Sequence, residues 1–381
     1  MANTLTGLIP TIYAGMDVVS RELVGFIPNV MRDASAQMAA VNQTVRSPVV
    51  PAITTENITP GATPADSGDQ TMGYVDVTIT KSKAAPIRWT GEEQLSLRKD
   101  GVISTVMRDQ FAQAFRAICN EVETDLAALY ATASRAYGTA GTTPFGTAAD
   151  MTDFAGANRI LDENGAPQTG RKMILGHAAR ANLEGKQSQL FKANEAGTDG
   201  LLRNRVMLNL HGFDIGFSNG IGIHTKGTGA SYQVNNGAGY AINDTAITVD
   251  TGSGTIVAGD ILTATGDTNK YVVASALASN VVTLASPGLR QTLADNVALT
   301  VGNNYTYNMF FHSSSLLLLA RQPAMPEGGD DADDVTTITD PISGLTFQVA
   351  LYKQYRRKKI EIGLAWGVKN VTPRHSGILL G

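Results

Sequence analysis

The five histidines and the single cysteine are the residues of this 381-residue chain best suited to metal binding or nucleophilic catalysis. Cys119 follows Ile118 on the apolar side of a predicted helix, where a thiol is buried and inert. One cysteine also excludes a disulfide framework and a cysteine-based zinc module. The histidines fall on different predicted elements and predict no shared metal ion; they are His177, His211, His224, His312 and His375. We therefore expect no catalytic site, no metal site and no cofactor.

Two motifs that mark metal or nucleotide chemistry are missing from the sequence. The H-E-x-x-H zinc motif does not occur. The nearest match to the phosphate loop G-x-x-x-x-G-K-[ST] is at Gly185 and Lys186, and it has Arg180 where the first glycine should stand. These observations favour a protein that is not an enzyme.

Two runs of opposite charge lie near the C-terminal end of the chain. The acidic run lacks the ligand order of an EF-hand, so a solvated loop is its simpler interpretation; it contains Glu327, Asp330, Asp331, Asp333 and Asp334. The basic run is predicted to lie on one strand, where alternation puts Lys353, Arg357 and Lys359 on one face. Arg356 and Lys358 would then lie on the other face. The basic run could contact phosphate, but the opposite signs of the two runs favour a contact between subunits.

The composition favours a protein whose surface meets other proteins. The 30 Lys and Arg residues against 34 Asp and Glu residues give a formal charge of −4, unlike the net basic domains that bind nucleic acid. Charged residues make up 17% of the chain, which is less than the roughly 25% of an average domain. The first residues, MANTLTGLIPTIY, resemble no secretory signal, and no stretch has the length of a membrane span. We expect no membrane association.

The N-terminal region predicts a helix on a loose arm. Met16, Val19, Leu23 and Ile27 recur at helical spacing within 12–34, and the helix is expected to stop near Pro28.

Residues 44–90 predict a long two-stranded arm. Val75, Val77 and Ile79 alternate with polar residues, a turn-like KSKAAP follows, and a second short strand ends at Trp89. This pairing would put Lys81 and Lys83 at the tip, with Arg88 on the second strand. Because a two-stranded ribbon is marginally stable alone, the arm needs a partner surface.

A single long helix is predicted over 102–137, ended by Gly138. Its apolar stripe steps by three or four residues over about 50 Å of helix; the stripe consists of Phe111, Phe115, Ile118, Val122, Leu126, Leu129 and Ala133. One arm of a coiled coil is the alternative interpretation. Residues 150–220 mix helical and strand patterns, as in an α+β domain.

Residues 224–303 predict an inserted all-β module. They contain no Trp or Phe, and the strand-like runs AITV, TIVAG, KYVVAS and NVVTLAS are separated by turn residues at the spacing of a small barrel or sandwich. The α+β pattern returns over 304–381. The predicted fold class is therefore α+β with a small all-β insertion.

This order of elements resembles the Hong Kong 97-type fold of tailed-phage major capsid proteins. The segments FFHSSSLLLLARQPAMP and GLAWGVKNVTPRHSGILLG resemble the closing segments of the P-twenty-two-type coat protein family, and IPNVMRD and VDVTITKSKAAPIRWTGEEQLSL resemble its arm and extended loop. The resemblance implies these divisions: an N-terminal arm over 1–43, an extended hairpin loop over 44–90, a peripheral domain with the spine helix over 91–149, an axial domain over 150–223 and 304–381, and an insertion domain over 224–303.

The resemblance implies a major capsid protein that builds a T = 7 icosahedral shell from hexamers and pentamers. Its implied partners are copies of itself, a scaffolding protein, a portal protein, weakly contacted double-stranded DNA and a possible decoration protein. The shell would assemble as a procapsid in the host bacterial cytoplasm and end as the virion capsid, and the insert would stabilise the monomer and guide shell size. Some relatives cross-link a lysine to an asparagine, for which Lys81, Lys83 and Asn370 supply the residue types.

The candidate contacts between subunits are charged residues of the arm and of the two runs. They are Lys81, Lys83, Arg88, Asp330, Asp331, Asp333, Asp334, Arg356, Arg357, Lys358 and Lys359. Two other functions stay open at this point: a tail, decoration or baseplate component, and a carbohydrate-active enzyme with a β accessory domain. The enzyme would need clustered carboxylates and aromatic platforms, and the insert offers only Tyr232, Tyr240 and Tyr271.

Overall fold

A computed structural model describes residues 8–49, 55, 60, 72–99, 103–187 and 209–381. The helices in these ranges are α1 (Ile9–Glu22), α2 (Gly91–Lys99), α3 (Ile103–Ala127), α4 (Thr152–Glu163) and α5 (His177–Lys186). The strands are β1 (Met31–Ala39), β2 (Thr44–Val49), β3 (Gly73–Thr78), β4 (Lys81–Thr90), β5 (Arg135–Gly138), β6 (Arg171–Leu175), β7 (Asn209–Leu210), β8 (Phe213–Phe217), β9 (Ile223–His224), β10 (Tyr232–Val234), β11 (Ala246–Asp250), β12 (Ile261–Ala264), β13 (Lys270–Ala278), β14 (Val281–Leu284), β15 (Ala298–Val301), β16 (Tyr305–His312), β17 (Leu316–Pro323), β18 (Ala332–Thr339), β19 (Thr346–Gln354), β20 (Arg357–Asn370) and β21 (Ser376–Leu380).

A six-stranded sheet is built around β20. β4 pairs along one edge of β20, while β19 and then β17 pair along the other edge. β18 continues the sheet beyond β19, and β1 pairs in parallel with β17. Alternate residues of β20 point to the same face, and Ile360, Ile362, Leu364 and Trp366 on that face are all buried.

The helices α1 and α3 cover this apolar face. Phe115 of α3 meets Phe347 of β19 edge to face, with ring centroids 5.0 Å apart. α1 packs on α3 at Gly15, where a Cβ atom would lie 2.9 Å from the carbonyl oxygen of Arg108. The stripe predicted on the long helix therefore forms the centre of the largest core.

A second sheet runs in the order β5, β21, β16, β6, β8 and β7. α4 and α5 contribute Phe154, Leu161 and Leu183 to a separate core, in which they join Met173 and Phe310 of the sheet. The α+β character expected for this part of the chain is confirmed.

The inserted module is a closed six-stranded barrel. β12, β15, β10, β11, β14 and β13 pair successively and antiparallel, and β13 pairs back with β12. Apolar side chains fill the barrel, and the remaining cavity of about 10 Å³ has room for no ligand. β13 also pairs with β5, so the barrel continues the second sheet. The predicted strand TIVAG is wrong: Ile256 is buried without strand pairing, and Ile261–Ala264 forms the strand instead.

The N-terminal helix ends at Glu22, earlier than the predicted stop near Pro28. Leu23 is extended, and Ile27 lies in a short 3₁₀ turn. The helix ends there because the backbone N–H groups of Phe26 and Ile27 donate to the carboxylate of Glu123, at 2.8 Å each. The expectation of a loose arm is also wrong for the described part, since α1 packs on α3 and β1 lies in the sheet.

The long helix is shorter than predicted. α3 has 25 residues, or about 37 Å, and Ala128–Thr132 continues it as a 3₁₀ turn. Residues 135–138 have helical spacing in the sequence but form β5, because they complete pairings with β21 and β13. Tertiary pairing has overridden local periodicity.

The predicted arm has different strand partners. β3 pairs with β2, and β4 joins β20 in the six-stranded sheet instead of returning along β3. The ribbon β2–β3 therefore ends at Thr78, and most of 50–71 lies outside the described residues. Lys81 and Lys83 lie at the base of the arm, where β4 begins, and not at its tip.

Candidate functional site

The basic run forms the end of a hairpin. β19 ends at Gln354 and β20 begins at Arg357, and Arg356 in the turn has a positive φ of 54°. The prediction of one continuous strand is wrong, and so are the faces predicted for Lys353 and Arg356, whereas Arg357 and Lys359 do share a face of β20. Lys353 lies opposite Lys358, so these two share a face, because directly paired residues of an antiparallel ladder do so.

The end of β4 lies beside this hairpin. Arg88 pairs with Lys359, and the backbone N–H of Gly91 donates to the carbonyl oxygen of Arg356 at 3.2 Å. Tyr355 projects from the turn and is 88% exposed. A cavity of about 680 Å³ lies between the turn and the start of α2. We call these cations the basic tip: Arg88, Lys353, Arg356, Arg357, Lys358 and Lys359.

The acidic run lies next to the basic tip within the same chain. β18 pairs with β19, so Asp333 forms an ion pair with Lys353 at 2.8 Å. The hydroxyl of Tyr352 donates to Asp330 at 2.6 Å. Burial and the neighbouring Asp330 raise the pKa of Tyr352. We call this segment the acidic loop: Glu327, Asp330, Asp331, Asp333 and Asp334.

Lys81 and Lys83 have partners within their own chain. Lys81 forms ion pairs with Asp125 at 2.7 Å and Glu121 at 3.3 Å, both on α3, and Lys83 also contacts Glu121. These ion pairs join β4 to the long helix. The prediction had placed both lysines at the tip of a hairpin instead.

The side chain of Asn370 also has its hydrogen-bond partners within its own chain. It is 7% exposed, and its side-chain amide donates to Thr132 and Ser376. The side chain that a lysine–asparagine cross-link would need is thus buried.

A polar network joins the start of the barrel to the 3₁₀ turn that continues α3, and sequence reasoning missed it. His224 is bonded through Nε2 to Asp260 at 2.9 Å and through Nδ1 to the Tyr130 hydroxyl at 2.8 Å. Asp260 is fully buried and also accepts the backbone N–H groups of Gly227 and Val257. No serine or cysteine is bonded to this histidine in the described ranges. The hydrogen bonds hold the residues that lead into the barrel against Tyr130.

Glu123 forms a second buried junction. Besides the N–H groups of Phe26 and Ile27, it accepts the Ser218 hydroxyl at 2.6 Å. Ser218 lies in the sequence Gly216-Phe217-Ser218-Asn219-Gly220, which has the G-x-S-x-G spacing of a hydrolase nucleophile elbow. The structure gives this match another role, since Ser218 is 4% exposed and bonds directly to a carboxylate without a histidine between them.

His312 and His375 should make folding stability sensitive to acid. Burial lowers the pKa of both, Arg171 and Arg374 add to the effect, and the rings lie 6.3 Å apart. A folded-state pKa below the unfolded value means that the folded chain binds fewer protons. The stability contribution is complete above the ordinary histidine pKa of about 6.5 and falls as the pH drops through the folded value.

We expect the free energy of unfolding to decrease between about pH 7 and pH 5. Urea denaturation at several pH values measures this decrease. His375→Gln should show a shallower pH slope than the wild-type chain. Equal slopes would show that the histidine pair is not the cause.

Among the described residues, no cluster of three or more His, Cys, Asp or Glu is arranged to hold a metal ion. None of the helices in the described ranges is long and apolar enough to span a membrane.

Comparison with known proteins returns structural similarity at low sequence identity. No protein-family model and no curated protein matches the chain. The capsid of the cyanophage P-SCSP1u has a TM-score of 0.46 at 11% identity, covering 91% of this chain and 86% of that one. The mature capsid of bacteriophage PhiM1 has a TM-score of 0.45 at 10% identity, covering 93% and 86%.

A structure from Mycobacterium phage Che8 has a TM-score of 0.44 at 15% identity, covering 89% of this chain and 84% of that one. At these low scores, the functional assignment rests on the chain's own architecture.

Proposed function

We propose that this chain is a major capsid protein of the Hong Kong 97-type fold, which assembles with copies of itself into an icosahedral shell. The described elements support the proposal by their order: an N-terminal helix and strand, an extended ribbon, a long helix against a sheet, and a second α+β sheet interrupted by a barrel. The proposed finer features are the P-twenty-two-type coat family, a T = 7 procapsid with scaffolding and portal proteins, packaged double-stranded DNA, and assembly in the host bacterial cytoplasm.

The ribbon β2–β3 is the observation that carries the proposal. At its base, Val77 and Ile79 are buried against Leu317 and Leu319 of the six-stranded sheet. Farther along the ribbon, Tyr74 is 60% exposed. Because a two-stranded ribbon is marginal alone, its far end needs a surface that the described part of the chain does not supply. A neighbouring copy in a shell would supply one.

The enzyme alternative finds little support in the barrel. Tyr232 and Tyr271 are buried in the barrel core and form no exposed aromatic platform. A tail or baseplate component would account for the barrel, but it gives no reason for the long helix and ribbon on one body.

Electron microscopy of the full chain, expressed with and without a scaffolding protein, tests the proposed function. We expect closed shells of uniform size. Rings, tubes or a monodisperse monomer under both conditions would contradict the proposal.

A further inference from the structure

The end of the six-stranded sheet carries two opposite charges side by side. The basic tip comes from the β19–β20 turn and the end of β4, and the acidic loop enters β18 directly beside it. Ala332 of β18 pairs with Tyr352 of β19, only three residues before the exposed Tyr355. One edge of the molecule is therefore positive at the turn and negative at the adjoining loop.

These charges neutralise each other only in part within one chain. Lys353 pairs with Asp333, and Lys359 pairs with Glu361 at 2.8 Å. Arg357 has an electrostatic interaction with Glu93. The members without an ion pair in the described ranges are Arg88, Arg356, Arg357 and Lys358 on the tip and Glu327 and Asp331 on the loop.

The chemistry of the tip is that of a protein contact. Tyr355 is a rigid aromatic side chain that stands almost fully in solvent, with the guanidinium of Arg356 5.8 Å from its ring centroid. Tyrosine and arginine are enriched among the residues that dominate binding energy at protein interfaces. The exposed Glu92 and the acidic loop beside the tip would repel a nucleic acid backbone, so a partner with carboxylates fits better.

We propose that the basic tip of one copy docks against the acidic loop of a second copy. This inference rests on the proposed function and names the surfaces that would meet. We take the contact to be heterologous: each copy uses its tip on one neighbour and offers its loop to another, rather than exchanging both with the same copy across a two-fold axis. Repeated around a rotation axis, such contacts close into a ring, as a shell requires.

Charge reversal in the full-length chain tests the contact. Arg356→Glu should reduce the yield of closed shells, measured by sedimentation and electron microscopy, by about tenfold or more, because like charges would then face each other at every repeat. Asp331→Lys should have a similar effect. The double variant Arg356→Glu/Asp331→Lys should restore assembly, since its contact has the same complementarity with the signs exchanged.

A matched control separates a local contact from net charge. Arg356→Glu/Asp109→Lys has the same net charge as the rescuing double variant, but Asp109 lies on α3. We expect no rescue from this control. Circular dichroism and thermal melting of each variant should match the wild-type chain.

The outcomes distinguish the contact from the proposed function. Wild-type shells with full assembly of Arg356→Glu would overturn the contact and leave the function standing. Loss of assembly without rescue by Asp331→Lys would show that the tip binds another partner, which overturns the inference. Equal rescue by Asp109→Lys would show that net charge, and not a local contact, causes the effect, which also overturns the inference. Failure of the wild-type chain to form shells would overturn both.

Discussion

Asp260→Ala should lower the free energy of unfolding by about 3–5 kcal/mol, the usual cost of leaving the partners of a buried carboxylate unpaired. Asp260 is fully buried and accepts from His224 and from the backbone of Gly227 and Val257. The alanine variant leaves these donors without acceptors at the point where the chain enters the barrel. Urea denaturation of the full chain measures the loss, and limited proteolysis should show new cleavage near 224–230 and 255–260.

Two further variants set the scale for this result. Asp260→Asn keeps the shape and one good acceptor, so it should cost about half as much. Asp295→Ala removes a carboxylate of the same barrel that accepts one backbone N–H from Asn236, and it should cost about 1 kcal/mol. If Asp260→Ala unfolded at the same urea concentration as Asp295→Ala, the network would not hold the barrel in place.

Glu123→Ala should have an effect of similar size on the other side of the long helix. The variant removes the acceptor for Phe26, Ile27 and Ser218, which joins the N-terminal segment and the turn after β8 to α3. We expect a loss of about 3–5 kcal/mol in the free energy of unfolding. Glu121→Ala on the same helix is the control; its partners are the half-buried Lys81 and the exposed Lys83, so it should cost less than about 1 kcal/mol.

The pH dependence of Glu123 has a definite sign. Burial raises its pKa, against the hydrogen bonds from Ile27, Ser218 and Phe26, which lower it. The folded chain therefore binds this proton more tightly than the unfolded chain, and that contribution is lost as the pH rises through the raised value. The stability of the wild-type chain relative to Glu123→Gln should fall as the pH rises from about 4 to 8. A constant difference would contradict the assignment.

The sequence by itself determined the parts of this fold that depend on local periodicity. Phe111, Phe115, Ile118 and Val122 recur at helical spacing, and all of them are buried on α3 as expected. The short apolar runs between Gly, Asn and Asp residues correctly predicted a small all-β insert. Local patterns succeed here because one face of a helix or strand must be apolar to be buried, whatever covers it.

The charged residues show what the sequence did not determine. Lys81 and Lys83 were predicted at an arm tip, but they bind carboxylates of α3 because β4 pairs with β20, hundreds of residues away in the chain. Asp260 and Glu123 have no sequence signal as buried acceptors, because most of their donors lie in segments distant in the chain. Such positions can be found only when the partners are known.

The elements whose boundaries were wrong were settled by strand pairing. The spacing of residues 128–137 suits a helix, yet 135–138 form a strand because β21 and β13 offer hydrogen-bond partners on both sides. The sequence of the basic run predicts one strand, but the chain forms a turn at Tyr355 and Arg356. The sequence thus determined the apolar face of the long helix and the presence of a small β module, since the periodicity of apolar residues is a local property. Only the tertiary structure decided which strands pair and which charges have partners among the described residues, because both depend on contacts between segments far apart in the chain.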